Sequence, residues 1–304
     1  MTNSNIQQLL ELTARNKASD LHILPGVPPM MRVNGELSAA SVNGQIVTAE
    51  TSKTLLSTIL TEKQKEVLLA DKELDFSYSL SDGTRFRVNV YFAQGALAAA
   101  FRIISEKVPT IEELKLPESL KQFATLKQGF VLVTGPTGHG KSSTVAAILN
   151  EINQNRNEHI ITVEDPIEFL IKPIKSMISQ REIGSDSLSW ANALRSCLRE
   201  DPNVVFIGEM RDLETVAAAM TIAETGHLVF STLHTNSAAQ TIDRIIDVFP
   251  EGAKGQARSQ LAAVLSAVIS QRLIPTVENS RVPAIELLIS NNAVKTSIRE
   301  AKTH

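Results

Sequence analysis

The 304-residue chain has a single cysteine, Cys197, which excludes an internal disulfide and any zinc site built from several cysteines. Charge of one sign is not in excess either. Thirty Lys and Arg stand against 33 Asp and Glu, and a net charge of −3 offers nucleic acid no electrostatic footprint. Long hydrophobic runs are missing. A membrane span needs roughly 18 uninterrupted apolar residues, and the nearest approach, Leu261 to Ile274, is broken by Ser266, Ser270, Gln271 and Arg272. The first residues lack the basic and apolar regions of a secretory signal, and no internal repeat or low-complexity segment occurs. These absences lead to the expectation of a cytosolic protein, with a peripheral membrane partner left open. Hydrophobic residues at 43% and charged residues at 21% are ordinary for a globular chain, and the length suits about two domains.

The densest signal that is present is Gly135-Pro136-Thr137-Gly138-His139-Gly140-Lys141-Ser142, which fits G-x-x-x-x-G-K-[ST]. The run before it, Gly129 to Thr134, reads as a short buried strand. After it, Val145, Ile148, Leu149 and Ile152 recur at helical spacing. Strand, glycine loop and helix form the context that the motif requires. Chance would put this pattern in a chain of this length about once in a hundred sequences. Glycines let backbone N–H groups converge on phosphate oxygens, and the helix N-terminus presents its positive dipole end to them. Lys141 is expected to reach the β- and γ-phosphates and the Ser142 hydroxyl to ligate Mg²⁺; Ser143 is counted in the same nucleotide-binding set. A side chain at His139 is expected to project from the loop with little effect on phosphate binding.

Around this motif the first hundred residues mix signals. An opening helix is expected through Ile6, Leu9, Leu10 and Leu12, capped near Asn3 or Ser4, followed by short strands at Leu21–Leu24 and Met30–Val33. Two helices, 49–60 and 62–70, precede three strands at 74–80, 85–92 and 96–104, which together suggest a small α+β domain. Residues 106–117, with two prolines and several charges, read as a linker. From 118 onward strand and helix alternate: 129–134, 142–154, 159–164, 189–199, 203–208, 213–225, 227–232 and 237–246. That alternation predicts a parallel sheet with crossover helices and ligands at the carboxyl ends of its strands. A long helix over 254–270, a strand pair near 273–275 and 284–289, and a helix over 291–301 complete the pattern.

Three of those strands end in polar residues able to serve a nucleotide. Ile160 to Val163 leads into Glu164, Val204 to Ile207 into Glu209, and Leu228 to Leu233 into His234. Hydrolysis needs an acceptor to orient water, a carboxylate for the Mg²⁺ shell and a donor facing the γ-phosphate. One acidic residue after a strand is often only a helix N-cap, but three strand ends beside one phosphate loop are harder to explain that way. His227 and His234 span a whole strand with no third ligand, a poor zinc pattern. Arg85 and Arg87 alternate on one strand and share a face, and Arg102 ends a neighbouring strand. Arg195 and Arg199, spaced i,i+4 without acidic mates, repel one another and hint at an anionic partner. An arginine finger from a neighbouring subunit is one reading of these cations.

Taken in order, these motifs resemble the secretion ATPase superfamily of type II and type IV secretion and type IV pili, and within it the pilus retraction ATPases. Ala18 to Ile23 with Pro28 to Gly35 is similar to the family's N-terminal signature, and Arg85 to Asn89 to its arginine-bearing strand. Ile161 to Phe169 resembles the Asp box, Asp201 to Asp212 the atypical Walker B, and Thr225 to Asn236 the His box. The resemblance implies an α/β fold: a small N-terminal PAS-like α+β domain (1–105), a linker (106–117) and a RecA-like P-loop ATPase domain (118–304). It implies ATP and Mg²⁺ as cofactors, Glu164 as the water-activating base, Glu209 in the Mg²⁺ shell and His234 as γ-phosphate sensor. Arg85, Arg87 and Arg102 become finger candidates, with Arg195 and Arg199 also facing nucleotide. It further implies a homohexamer at the inner face of the cytoplasmic membrane, acting on a pilus platform protein and alongside a sister pilus ATPase. Extension and type II relatives usually carry a four-cysteine zinc element and a longer N-terminal region, so one cysteine in 304 residues favours retraction. Asn292 to Glu300 is similar to the retraction signature Ala-Ile-Arg-Asn-Leu-Ile-Arg-Glu without matching it throughout. The alternatives are an extension-type or accessory pilus ATPase, or a P-loop phosphotransferase. The end at His304, where the resemblance implies further helices, suggests a shortened chain or a short member.

Overall fold

Asn5 starts the first helix: its side chain accepts from the Gln7 backbone N–H, and the Gln8 side chain returns to the Asn5 backbone, a capping box. The computed structural model describes residues 5–40, 45–105, 107–277 and 280–303. Asn3 and Ser4, the expected caps, and His304 lie outside them. The chain divides into two units, Met1–Glu106 and Lys107–His304.

In the first unit, α1 (Ile6–Arg15) is followed by β1 (Asp20–Ile23), β2 (Met30–Val33), β3 (Glu36–Ala39), α2 (Ala49–Ser57), α3 (Glu62–Asp71), β4 (Glu73–Ser79), β5 (Arg85–Ala93) and β6 (Ala96–Ile104). The six strands form an antiparallel sheet ordered β3-β2-β1-β6-β5-β4. Leu21, Phe86, Val88, Val90 and Phe101 join Ile6, Leu10 and Leu56 in one core. Alternation along β5 therefore turns Arg85 and Arg87 to the opposite face. There Arg102 is the direct cross-strand partner of Arg87, and Asp20 that of Arg102. The strand β3 carries no expectation from the sequence because all four residues are exposed, leaving no alternation to detect.

The second unit runs α4 (Lys121–Thr125), β7 (Gly129–Thr134), α5 (Lys141–Asn155), β8 (His159–Glu164), β9 (Met177–Glu182), α6 (Trp190–Cys197), β10 (Val204–Ile207), α7 (Leu213–Glu224), β11 (Leu228–Leu233), α8 (Ala238–Asp247), α9 (Lys254–Val264), β12 (Leu265–Pro275), β13 (Arg281–Ile289) and α10 (Asn292–Arg299). Its seven-stranded sheet is ordered β13-β12-β7-β11-β10-β8-β9 and is parallel except for the β12–β13 pair. Strand β7 is buried on both faces. Phe130 and Leu132 pack with Met220, Ile245 and Leu261, while Val131 and Val133 pack with Ile148, Leu149 and Ile269. Ordered this way, the carboxyl ends of β7, β8, β10 and β11 share one edge of the sheet. Among the described residues no helix is long and apolar enough to cross a membrane.

Three expectations change. The helix expected over 254–270 stops at Val264, and Leu265 to Pro275 continues as β12 beside β7. The near-continuous apolar run there satisfies a buried helix and a buried strand equally, so periodicity cannot separate them. The helix expected over 189–199 ends at Cys197, with Arg199 in the following turn, so Arg195 and Arg199 do not share a helix face. Residues 107–117, expected to be a linker, place Ile111 and Leu116 in the second unit's core beside Leu120 and Phe123.

Candidate functional site

The phosphate-type loop joins β7 to α5. Gly135, Gly138 and Gly140 hold φ of 144°, 76° and 79°, and Lys141 and Ser142 open the helix. At Gly135 a side chain has no room, because a Cβ would run into the carbonyl oxygen of Gln271. Pro136 and Thr137 form the near limb of the loop, and Ser143 follows in the first turn of α5.

Lys141 is buried, and its ammonium donates to the carbonyl oxygens of Gly135 (2.9 Å) and Pro136 (3.0 Å). Burial pulls its pKa down, against the opposing charges of Glu168 and Glu209. The ammonium is thus folded onto its own loop. Ser142 donates its hydroxyl to Glu168 Oε1 at 3.0 Å.

Two of the three strand ends sit at this loop, and the third reaches it through Glu168. His234, directly after β11, places Nδ1 3.4 Å from Lys141 Nζ and 3.3 Å from Thr137 Oγ1, and Nε2 3.5 Å from Glu209 Oε2. Glu209, two residues beyond β10, is also paired with Arg211 at 2.7 Å. The helix N-cap duty nearby belongs to Asp212, which accepts from the Thr215 N–H at 2.9 Å, so Glu209 is not spent on capping. Glu164, the last residue of β8, is 6% exposed. Burial pushes its pKa up to about 7, although Thr162 Oγ1 (2.6 Å) and Gln180 Nε2 (3.3 Å) donate to it. Its second oxygen faces the Glu168 backbone N–H at 3.5 Å. A carboxylate that titrates near neutrality is suited to taking a proton from water and returning it.

The oxygens of Ser142, Glu168 and Glu209 are hard donors. Among the described residues no three His, Cys, Asp or Glu side chains form a metal cage. Mg²⁺ does not need one, since it is commonly held by one or two protein oxygens, nucleotide phosphates and water. The donor set is therefore of the kind that suits a magnesium ion carried in with a nucleotide. His227 bonds through Nδ1 to the Thr225 hydroxyl (3.0 Å) and the Ile222 carbonyl (3.0 Å), at the opposite end of β11 from His234.

The arginines divide. Arg85, Arg87 and Arg102 belong to the first unit. There Arg102 Nε donates to Asp20 Oδ1 at 2.8 Å, Arg32 approaches Oδ2 at 4.0 Å, and Arg87 approaches Asp75 at 4.0 Å. Burial opposes ionisation of Asp20, but the Ser19 hydroxyl and Arg102 outweigh it and hold the carboxyl below its ordinary range. In the second unit Arg195 pairs with Glu214 at 3.5 Å, so it does have an acidic mate, contrary to expectation, while Arg199 lies exposed beyond the helix.

Four participants carry no expectation from the sequence. Glu168 touches Ser142, and Thr162 and Gln180 hold Glu164; hydrogen-bonding residues inside strands and loops leave no periodic signal. Gln271 is the fourth, because most of its strand was hidden in a helix-like run. Its Oε1 accepts from Thr144 Oγ1 (2.7 Å) and its Nε2 donates to the His139 carbonyl (2.8 Å). His139 itself does not project from the loop: its Nδ1 accepts the Leu273 N–H at 2.9 Å.

A loop of this form, with Glu164, Glu209 and His234 at the carboxyl ends of three parallel strands, narrows the comparison to known families. Residues 3–300 match the model of the type II/IV secretion system protein family. The chain belongs to this family. It is 46% identical over 298 residues to the type IV pilus retraction ATPase PilT of Pseudomonas aeruginosa, covering 98% of this chain and 86% of that relative. It is 49% identical over 275 residues to a twitching motility protein of Neisseria gonorrhoeae, covering 90% and 73% respectively. A crystal structure of the pilus retraction motor PilT with bound ADP superposes with a TM-score of 0.92 at 44% identity, over 98% of this chain and 87% of that one. Membership accounts for the order of the motifs and for the mixed α/β fold.

Proposed function

We propose that this chain is an ATP-hydrolysing motor that drives type IV pilus retraction. The observation that carries the reading is the position of His234, within 3.5 Å of both Lys141 Nζ and Glu209. One side chain thereby stands between the phosphate lysine and a carboxylate, where a donor to the γ-phosphate would sit. In this reading Gly135 to Ser143 cradle the nucleotide. Glu164 accepts the proton of the attacking water, and Ser142 and Glu209 serve the ion. Bound Mg²⁺ would supply charge neutralisation at the phosphates.

The same reading takes the first unit as PAS-like, with bounds near 1–105, and the second as RecA-like; the placement of β7 between β11 and β12 supports the latter. Six copies would form a ring. Arg85, Arg87 and Arg102, with Arg195 and Arg199, would supply positive charge to nucleotide, in part from a neighbouring subunit. The ring would work in the cytoplasm, against a platform protein of the inner membrane and alongside a sister pilus ATPase.

Deletion of the gene, scored for surface pili and twitching, tests the direction of work. Excess pili with lost motility is expected, restored by the wild-type gene and not by Glu164→Gln. Cells without pili would instead assign the chain to extension.

A further inference from the structure

We infer that His139 is a positioning residue for nucleotide binding, locking the crest of the phosphate loop onto β12 through its imidazole Nδ1. This rests on the reading of the loop as a phosphate cradle given above. Glycine-rich segments lose the most conformational freedom when ordered, and this loop has glycines at 135, 138 and 140, all with positive φ. Around Gly138 nothing lies within 4 Å of where a Cβ would be, so packing does not hold the crest. Two polar ties from β12 do. The Leu273 N–H donates to His139 Nδ1 at 2.9 Å, and Gln271 Nε2 donates to the His139 carbonyl at 2.8 Å.

The anchor itself is firm. Strand β12 runs parallel to β7 with Ile269 opposite Val133 and Ser270 opposite Thr134, so Gln271 to Leu273 continue alongside the loop. Gln271 is buried and fixed at its other end by Thr144 Oγ1 at 2.7 Å, from the first turn of α5. His139 therefore has both its backbone and its side chain bound to one rigid strand. The side-chain bond requires the tautomer with the proton on Nε2 and Nδ1 bare. Holding the loop N–H groups convergent before phosphate arrives removes part of the ordering cost from binding.

The test uses the full chain and three substitutions. His139→Asn returns an acceptor oxygen at the position of Nδ1, His139→Gln moves it one bond outward, and His139→Ala removes it. Fluorescent MgADP titration gives Kd, amide hydrogen exchange follows the Leu273 N–H, and thermal unfolding of the ligand-free chain monitors the fold. Ala and Gln are expected to weaken binding by roughly threefold to tenfold and to speed Leu273 exchange, with Asn close to wild type in both. Asn weakening binding as much as Ala, or Ala binding as well as wild type, would overturn the role. A wild-type chain that binds no MgADP would overturn the nucleotide reading and this role together.

Discussion

Glu164 takes its raised proton affinity from burial at the end of its strand, which outweighs the hydrogen bonds that Thr162, Gln180 and the Glu168 N–H donate to it. Its pKa rises from 4.5 to about 7 on folding, which makes the folded state the better proton acceptor. That contribution to stability is complete below the unfolded value and is lost as pH rises through about 7. Glu164→Gln is therefore expected to match wild type in urea unfolding at pH 4 and to exceed it above pH 8 by about 3 kcal/mol. Equal stability at both pH values would contradict the buried, proton-loving carboxylate. At this scale much was legible: Lys141, Ser142, Glu164, Glu209 and His234 all follow from a motif or a strand end. Glu168 and Gln180 were not, because their roles depend on loop and strand packing that leaves no spacing to read. His139 was visible as an oddity and became intelligible only with Leu273 beside it.

Strand β12 is the element on which the phosphate loop is built. Gln271 bridges Thr144 and the His139 carbonyl, and its own carbonyl oxygen fills the space a Gly135 side chain would need. Gln271→Ala should leave the buried Thr144 hydroxyl and the half-buried His139 carbonyl without these partners and cost about 2 kcal/mol in urea unfolding. Gly135→Ala combines a φ of 144° with a collision against β12. It should cost about 2–4 kcal/mol and disrupt nucleotide binding. Isothermal titration and unfolding of both variants check these values, and a fully tolerated Gly135→Ala would remove β12 as the template. The sequence reading caught only the end of this element, near 273–275, because Leu261 to Ile269 satisfies helix and strand alike. The edge strand β9 escaped for a different reason: Met177 and Ile178 are its two apolar residues, adjacent and followed by a polar stretch, so there is no alternation to read. The helices α1 and α5 were legible because their buried residues recur at helical spacing.

For the whole molecule, the division into Met1–Glu106 and Lys107–His304 separates two cores, and the nucleotide loop with its three strand ends lies wholly in the second. A fragment beginning at Lys107 is expected to unfold cooperatively and to bind Mg-nucleotide. It should hydrolyse ATP about 10³-fold more slowly than the full chain for want of Arg85, Arg87 and Arg102. Undiminished turnover by that fragment would remove the first unit's arginines from the reaction. The order of motifs along the chain made the family legible before any geometry, whereas the way Ser142, Glu168, Lys141 and His234 satisfy one another needed coordinates. The most direct measurement for the central claim is steady-state phosphate release by the purified chain with ATP and Mg²⁺ and no phosphoryl acceptor. The account predicts sustained release that falls by roughly 10²- to 10⁴-fold in Glu164→Gln while nucleotide affinity is kept. Release that appears only with an added acceptor, or that Glu164→Gln leaves intact, would contradict it.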